Sequence, residues 1–286
     1  MKVPLWLGFL ASLPGLAAPV YGQETILQQI QRTGLLTAAV REDAPPFGYR
    51  DVNGQWRGLC FDLLALIQTR LRQELPQSFI VPKLLTSTLF NRFDLVAEGD
   101  AVLECGANGI RSVPYPVEFS TPIFLTGTRL FIRAEDRFRW NPNGSLKGAR
   151  IGFLWNTSNA EFIQRRYPQA QFQEFRGITG RKRGLQAVQQ NKIDAFASDG
   201  ILLLGEALLL DLALGSEFII VPREPLNCEE YGLILPRGDS QWQTLINEVI
   251  ESAEAQALYQ KWFAEVGFLL DSTQQVCRPE LTVEEE

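Results

Sequence analysis

Apolar and polar positions follow two rhythms along this chain. Leu35 to Val40 form a short apolar run behind Gly34, which predicts a buried strand. Beyond Gly58, the spacing of Leu59, Leu63, Leu66, Ile67 and Leu71 puts one apolar face on a helix. Phe79 to Val81, Ala101 to Leu103 and Leu130 to Ile132 predict further strands. A polar, turn-rich stretch from Arg137 to Gly148 precedes a second series. There, Ile151 to Leu154, Ile193 to Ala197, Phe218 to Val221 and Tyr231 to Leu235 predict strands. Ala160 to Tyr167, Leu185 to Gln190, Ile201 to Leu214 and Trp242 to Phe263 predict helices. Pro45-Pro46 enforces a rigid loop, and Asn53-Gly54 signals a tight turn.

Strands alternating with helices predict α/β layers with mainly parallel strands. Two such series, separated near residue 130, predict two lobes. Open α/β sheets bind ligands beyond the carboxyl ends of their strands, so facing lobes place a cleft between loops.

The N-terminus adds an address. Lys2, the apolar stretch from Leu5 to Leu16, and the small residues Ala17, Ala18 and Gly22 predict an export signal spanning residues 1–22, cut after Gly22. The stretch is too short to span a bilayer comfortably; the competing reading is an N-terminal core helix. No cysteine follows it until Cys60, which argues against a lipid-anchored N-terminus. Export places Cys60, Cys105, Cys228 and Cys277 in an oxidising compartment, where an even count favours disulfides. Their wide spacing resembles no compact metal cluster, and three pairings remain open.

Composition narrows the chemistry. The net charge of −6 leaves no general basic excess, so nucleic acid is not an expected partner. Arg181-Lys182-Arg183 reads as a solvated helix start. There is no histidine, which excludes Ser-His-Asp and Cys-His catalysis and imidazole zinc sites. Neither a cofactor nor a metal is expected.

Six segments in order carry a resemblance. They are Ala44-Pro-Pro-Phe-Gly-Tyr, Gly58-Leu-Cys-Phe-Asp-Leu-Leu, Val117-Glu-Phe-Ser-Thr-Pro-Ile-Phe, Ile193-Asp-Ala-Phe-Ala-Ser-Asp, Tyr231-Gly-Leu-Ile-Leu-Pro-Arg-Gly-Asp and Tyr259-Gln-Lys-Trp-Phe. From about Gly34 to Phe263 the chain resembles the family 3 extracellular solute-binding proteins, the amino-acid-binding components of ABC importers. The ligand-binding domains of ionotropic glutamate receptors share their fold. The resemblance implies a type II periplasmic binding protein, an α/β fold of two lobes joined by a two-strand hinge. Lobe 1 would hold residues 24–124 and 231–270, and lobe 2 residues 130–226. The hinge would run near Ile123–Arg129 and Leu226–Tyr231, and 271–286 would form a C-terminal tail with an acidic end from Pro279. The implied protein is a periplasmic monomer that closes on a small amino-acid-like ligand for an ABC importer, with a membrane ABC permease as its partner. The alternatives are an orphan or sensory binding protein, or an enzyme of the same fold.

The resemblance also implies roles. Asp199 ends the Asp194-Ala195-x-x-x-Asp pattern and would receive the ligand's ammonium; the competing role is an N-cap. Arg111 would take the α-carboxylate through two parallel hydrogen bonds. It departs from the family pattern, because Asn108-Gly109-Ile110-Arg111 lacks both usual threonines. Asn156, Thr157 and Ser158 open a helix whose amides suit a carboxylate, with plain capping as the alternative. Gly106 and Asn108 would add lobe 1 contacts. The family's usual aromatic platform is replaced by Ala44, leaving Phe90 or Tyr49 to compensate, or simply to pack in the core or rim. The receptor-like pairing is Cys228 with Cys277, which leaves Cys60 for Cys105 or for a buried free thiol.

Overall fold

The computed structural model describes residues 24–51, 53–76 and 79–278. The expected export signal and the acidic end from Pro279 lie outside the described residues. The chain opens with α1 (Ile26–Thr33), whose N-cap Thr25 and Gln28 form a reciprocal capping box. β1 (Leu35–Arg41) follows the left-handed Gly34. A small three-stranded sheet comes next, from β2 (Asp43–Ala44), β3 (Gly48–Arg50) and β4 (Trp56–Arg57). α2 (Leu59–Glu74) buries Leu59, Leu63, Ile67 and Leu71, the face its spacing predicts. β5 (Val81–Ser87), α3 (Arg92–Ala97), β6 (Leu103–Cys105) and β7 (Val117–Phe119) continue the lobe.

β8 (Phe124–Thr126) then leaves it, and β9 (Thr128–Arg133) enters the second sheet. That lobe contains β10 (Arg150–Leu154), α4 (Ser158–Arg166), β11 (Gln171–Phe175), α5 (Gly180–Gln189), β12 (Ala195–Asp199), α6 (Gly200–Leu209) and β13 (Phe218–Val221). β14 (Glu229–Tyr231) returns antiparallel to β8, and the pair forms the two-stranded connection. β15 (Ile234–Pro236), α7 (Ser240–Glu251), α8 (Ala253–Phe263) and α9 (Gly267–Cys277) complete the chain.

Each lobe is built on a five-stranded sheet, ordered β5-β1-β6-β15-β7 in the first and β11-β10-β12-β9-β13 in the second. β1 pairs parallel with β5 and β6, and β10 pairs parallel with β11 and β12. β15 and β9 run antiparallel to their neighbours, because the chain crosses between lobes there. The carboxyl ends of β1, β6, β10 and β12 therefore face one another across the cleft.

Several elements differ from the pattern reading. The strand expected at Phe79 begins at Val81, where the register with Leu35 starts; Phe79 is exposed. The helix expected from Trp242 to Phe263 is two helices. Ser252 ends α7 and caps α8, its hydroxyl accepting from Ala255 N at 3.2 Å. α6 stops at Leu209, and Asp211 adopts a left-handed φ of 52° just beyond it. The expected tail is helical through Cys277 and docked. Arg129 Nη2 donates to Ser272 Oγ at 3.1 Å, Thr273 Oγ1 at 3.0 Å and Arg223 O at 2.9 Å. An arginine so deeply buried has no water to solvate it, and burial lowers its pKa to about 10.

Both disulfides implied by the resemblance form, Cys60–Cys105 within the first lobe and Cys228–Cys277 from the connection to α9. Each has a Cα separation of 5.7 Å. Cys60–Cys105 closes a loop across 45 residues and joins α2 to the end of β6. Replacing both cysteines by alanine is expected to lower stability by about 2–4 kcal/mol. Urea unfolding monitored by circular dichroism measures this, and an unchanged midpoint would refute it.

Candidate ligand-binding site

Loops at the carboxyl ends of the strands enclose one polar cavity between the lobes. The first lobe contributes Arg41, Leu89, Arg92, Ala107, Gly109 and Arg111. The second contributes Thr157, Ser158, Asn159, Arg181, Asp199 and Leu202, and the connecting strand β14 adds Glu229 and Tyr231. About 20 Å³ is free for water-sized occupants, roughly one water's worth. An amino acid can enter only if the lobes part.

Contacts between the lobes hold this closed arrangement. Asn156 Nδ2 donates to Leu89 O at 2.8 Å. Phe90 stacks on Trp155 with ring centroids 4.7 Å apart, and the Arg176 guanidinium covers the same indole at 4.9 Å. Arg181 donates to the carbonyl of Asp43. Gly205 lies so close to Pro45 that a Cβ would sit 2.5 Å from its carbonyl oxygen.

Asp199 ends β12 and occupies the N-cap position of α6, yet its side chain makes no capping hydrogen bond. Instead its carboxylate accepts from Asn159 Nδ2 at 3.1 Å and borders the cavity. Burial raises its pKa, opposed by the Tyr231 hydroxyl, Asn159 and the Arg181 charge. Glu229 stands nearby on β14 and accepts from Ser158 Oγ at 2.6 Å. Burial, then the charge of Asp199, push its pKa up to about 7. The same two causes, with Glu229, hold the Tyr231 phenol well above its usual range.

Guanidinium groups dominate the rest of the wall. Arg41 is buried at the end of β1 and pairs with Asp43 at 2.6 Å. Gly106 makes room for it, since a Cβ there would lie 2.4 Å from the Arg41 side chain. Arg92 opens α3 at 2% exposure and donates to Asn108 Oδ1 at 3.1 Å. Asn108 in turn donates to Glu104, which also accepts from Ser87 Oγ at 2.6 Å. Burial lowers the Arg92 pKa to about 9, helped by the like charges of Arg41 and Arg111. Among the described residues, Nε of Arg92 and Nε of Arg181 are buried without an acceptor. Thr157 caps α4 by accepting from Ala160 N at 3.2 Å, so the first turn of that helix faces the cavity.

The expected residues therefore separate into groups. Asp199, Arg111, Thr157 and Ser158 line the cavity. Gly106 and Asn108 stand behind the wall, where one accommodates Arg41 and the other orients Arg92. Asn156 joins the lobes rather than lining the cavity. Phe90 and Tyr49 are outside it. Phe90 is held at the rim by Trp155, and Tyr49 is fixed in the small sheet opposite Arg57. Arg41, Arg92, Arg181 and Glu229 were not anticipated. Arg41 alone carried a readable signal, as the charge that ends an apolar strand run. Arg181, read as a solvated helix start, is 3% exposed.

A profile of the bacterial extracellular solute-binding proteins, family 3, matches residues 36–265. The chain belongs to this family. Among family 3 relatives, the glutamate/aspartate import solute-binding protein of Escherichia coli (strain K12) is 27% identical over 255 residues, covering 86% of this chain and 82% of that one. The cyclohexadienyl dehydratase of Pseudomonas aeruginosa is 25% identical over 261 residues, covering 85% and 86%. A crystal structure of an ancestral amino acid-binding protein, a precursor of cyclohexadienyl dehydratase, superposes with a TM-score of 0.69 at 18% identity. It covers 84% of this chain and 99% of its own, and shows the same fold. The family 3 fold supplies the mechanics: two lobes, two connecting strands and a cleft whose closed form encloses both signs of charge.

Proposed function

We propose that this solute-binding protein captures an α-amino acid carrying a second anionic group, of the L-glutamate or L-aspartate class, and delivers it to an ABC permease. One observation carries the ligand class. Four guanidinium groups, those of Arg41, Arg92, Arg111 and Arg181, border one small cavity, and two of them hold a buried N–H without an acceptor. A buried donor left unmade costs free energy that a ligand oxygen recovers. A zwitterion with one carboxylate leaves part of this wall unanswered; a dicarboxylate answers it at both ends.

In this reading the ammonium lies at Asp199, and the α-carboxylate lies between Arg111 and the first amides of α4. The side-chain carboxylate meets Arg41, Arg92 and Arg181. The E. coli relative is a glutamate/aspartate import solute-binding protein, which supports the same class. Ligand is held without turnover, outside the cytoplasm, and release requires the lobes to part.

Calorimetry against L-glutamate, L-aspartate, L-glutamine and L-arginine tests this. Either acidic amino acid is expected to bind at least about tenfold tighter than L-glutamine, since a charge-assisted hydrogen bond is worth about 1.5–3 kcal/mol. Equal or tighter binding of L-glutamine or L-arginine would reject the class. Recovery of unaltered ligand by NMR separates capture from catalysis. A second prediction concerns Arg111→Ala. It should weaken L-glutamate about tenfold or more, while binding of the α-amide of glutamate changes little. Equal losses for both ligands would remove Arg111 from the α-carboxylate role.

A further inference from the structure

Glu229 is not needed to complete the site just described, yet it borders the same cavity as Asp199. It sits on β14, the returning connecting strand, where both lobes meet. From one side Ser158 of the second lobe donates to its Oε1. From the other, Gly109 of the first lobe is pressed so close that a Cβ there would fall 1.8 Å from Oε1. Its other oxygen, Oε2, is buried and has no hydrogen-bond partner among the described residues. The geometry thus fixes one oxygen between the lobes and leaves the second unanswered beside another buried carboxylate.

We infer that Glu229 and Asp199 form a single cation-binding pair, sharing a proton when unliganded and exchanging it for the ligand's ammonium on capture. Two carboxylates that border one small, enclosed cavity cannot both ionise cheaply without a cation. The charged groups facing Glu229 are Asp199 from β12, the Tyr231 phenol from its own strand, and Arg111 and Arg92 from the first lobe. The arginines lessen the repulsion, but burial and Asp199 outweigh them, which is why Glu229 titrates near neutrality. An ammonium placed between the carboxylates supplies the missing charge. The proton passes to solvent as the ammonium settles, and the N–H groups find acceptors in Oε2 and Asp199. The pair titrates as a unit, so the released proton belongs to both groups.

The sign of the pH dependence follows. A carboxyl whose folded-state pKa is raised from 4.5 to about 7 holds a proton in that window that the unfolded chain has lost. Unliganded stability therefore falls as pH rises from about 4.5 to 7. Ligand affinity moves the opposite way. It strengthens by roughly tenfold from pH 6 to pH 8, because protonation near pH 7 competes with the ammonium.

The inference rests on the amino-acid reading but is tested in two separable arms. The first needs no ligand. Melting temperatures of the unliganded wild type and Glu229→Gln are followed from pH 5 to pH 8. The wild type should lose stability as pH rises, and the variant should lose distinctly less; parallel curves would overturn the inference. The second arm titrates L-glutamate into both proteins, in buffers of different ionisation enthalpy at pH 7. The wild type should release about half a proton per ligand, and Glu229→Gln close to none with at least tenfold weaker binding at pH 8. Proton release that is absent, or equal in both proteins, would also overturn it. If L-glutamate gives no heat while the melting curves diverge, the ligand class fails and the shared-proton pair stands.

Discussion

Asp199→Asn is expected to weaken L-glutamate binding by about 10- to 150-fold, the loss of one charge-assisted hydrogen bond worth about 1.5–3 kcal/mol. The substitution is close to isosteric, and asparagine keeps an oxygen to accept from Asn159 Nδ2. It cannot supply the negative charge that an ammonium requires in a cavity this small and enclosed. The effect on the unliganded fold is small because two terms oppose each other. Burial already disfavours the ionised carboxylate, and Glu229 repels it, so neutralisation brings relief. Against this, Arg129 loses a carboxylate whose charge supports it, although it keeps its contacts to Arg223, Leu269, Ser272 and Thr273. The melting temperature should stay within a few degrees of wild type. Calorimetry and thermal melts on the same preparation separate the two quantities. Wild-type affinity in the variant would remove Asp199 from the site.

The contrast between Asp199 and the arginines shows what a sequence can disclose. Asp199 stands at the end of a strand and the start of a helix, and both neighbours announce themselves by apolar runs. Its position was therefore readable, although the choice between capping and binding was not. The structure shows no capping bond, which leaves the carboxylate to the cavity. Arg92 and Arg181 sit in polar helix starts, where solvation is the ordinary expectation for a charge. They are buried because another loop or lobe closes over them, and local spacing carries no record of that. Glu229 is hidden for the same reason. It is one of two adjacent glutamates, and only the register of β14 against β8 decides which one turns inward. The alternation of strands and helices gave the two lobes; it did not reveal that Ser252 divides a long amphipathic run or that α9 docks through Arg129. The break at Ser252 is local: its hydroxyl donates to Val249 O at 2.7 Å at the end of the first helix and accepts from Ala255 N at 3.2 Å at the start of the next.

Removing the carboxylate beneath the arginines should have the largest effect on stability. Glu104→Ala is expected to destabilise the protein by about 3–5 kcal/mol, the usual cost of breaking a buried charged network from one side. Glu104 lies fully buried on β6, where it accepts from Ser87 and from Asn108 and faces the charges of Arg41 and Arg92. Alanine strands both donors and leaves Arg92 among like charges. Arg41 still has Asp43 at 2.6 Å, so the damage centres on Arg92 and on the Asn108 that orients it. For a chain of this size the melting temperature should fall by roughly 6–20 °C. Glu104→Gln separates shape from charge. Burial already raises the Glu104 pKa, so the neutral isostere avoids a desolvation cost while retaining an acceptor for Ser87 or Asn108. Its loss should be less than half that of alanine. Equal losses would mean that Arg92 depends on the negative charge itself, and no loss in either variant would show that the cluster stands without Glu104. L-glutamate binding adds a second readout. With Asn108 released, Arg92 no longer points reliably into the cavity, so Glu104→Ala should weaken the acidic ligand more than L-glutamine, even below the melting transition.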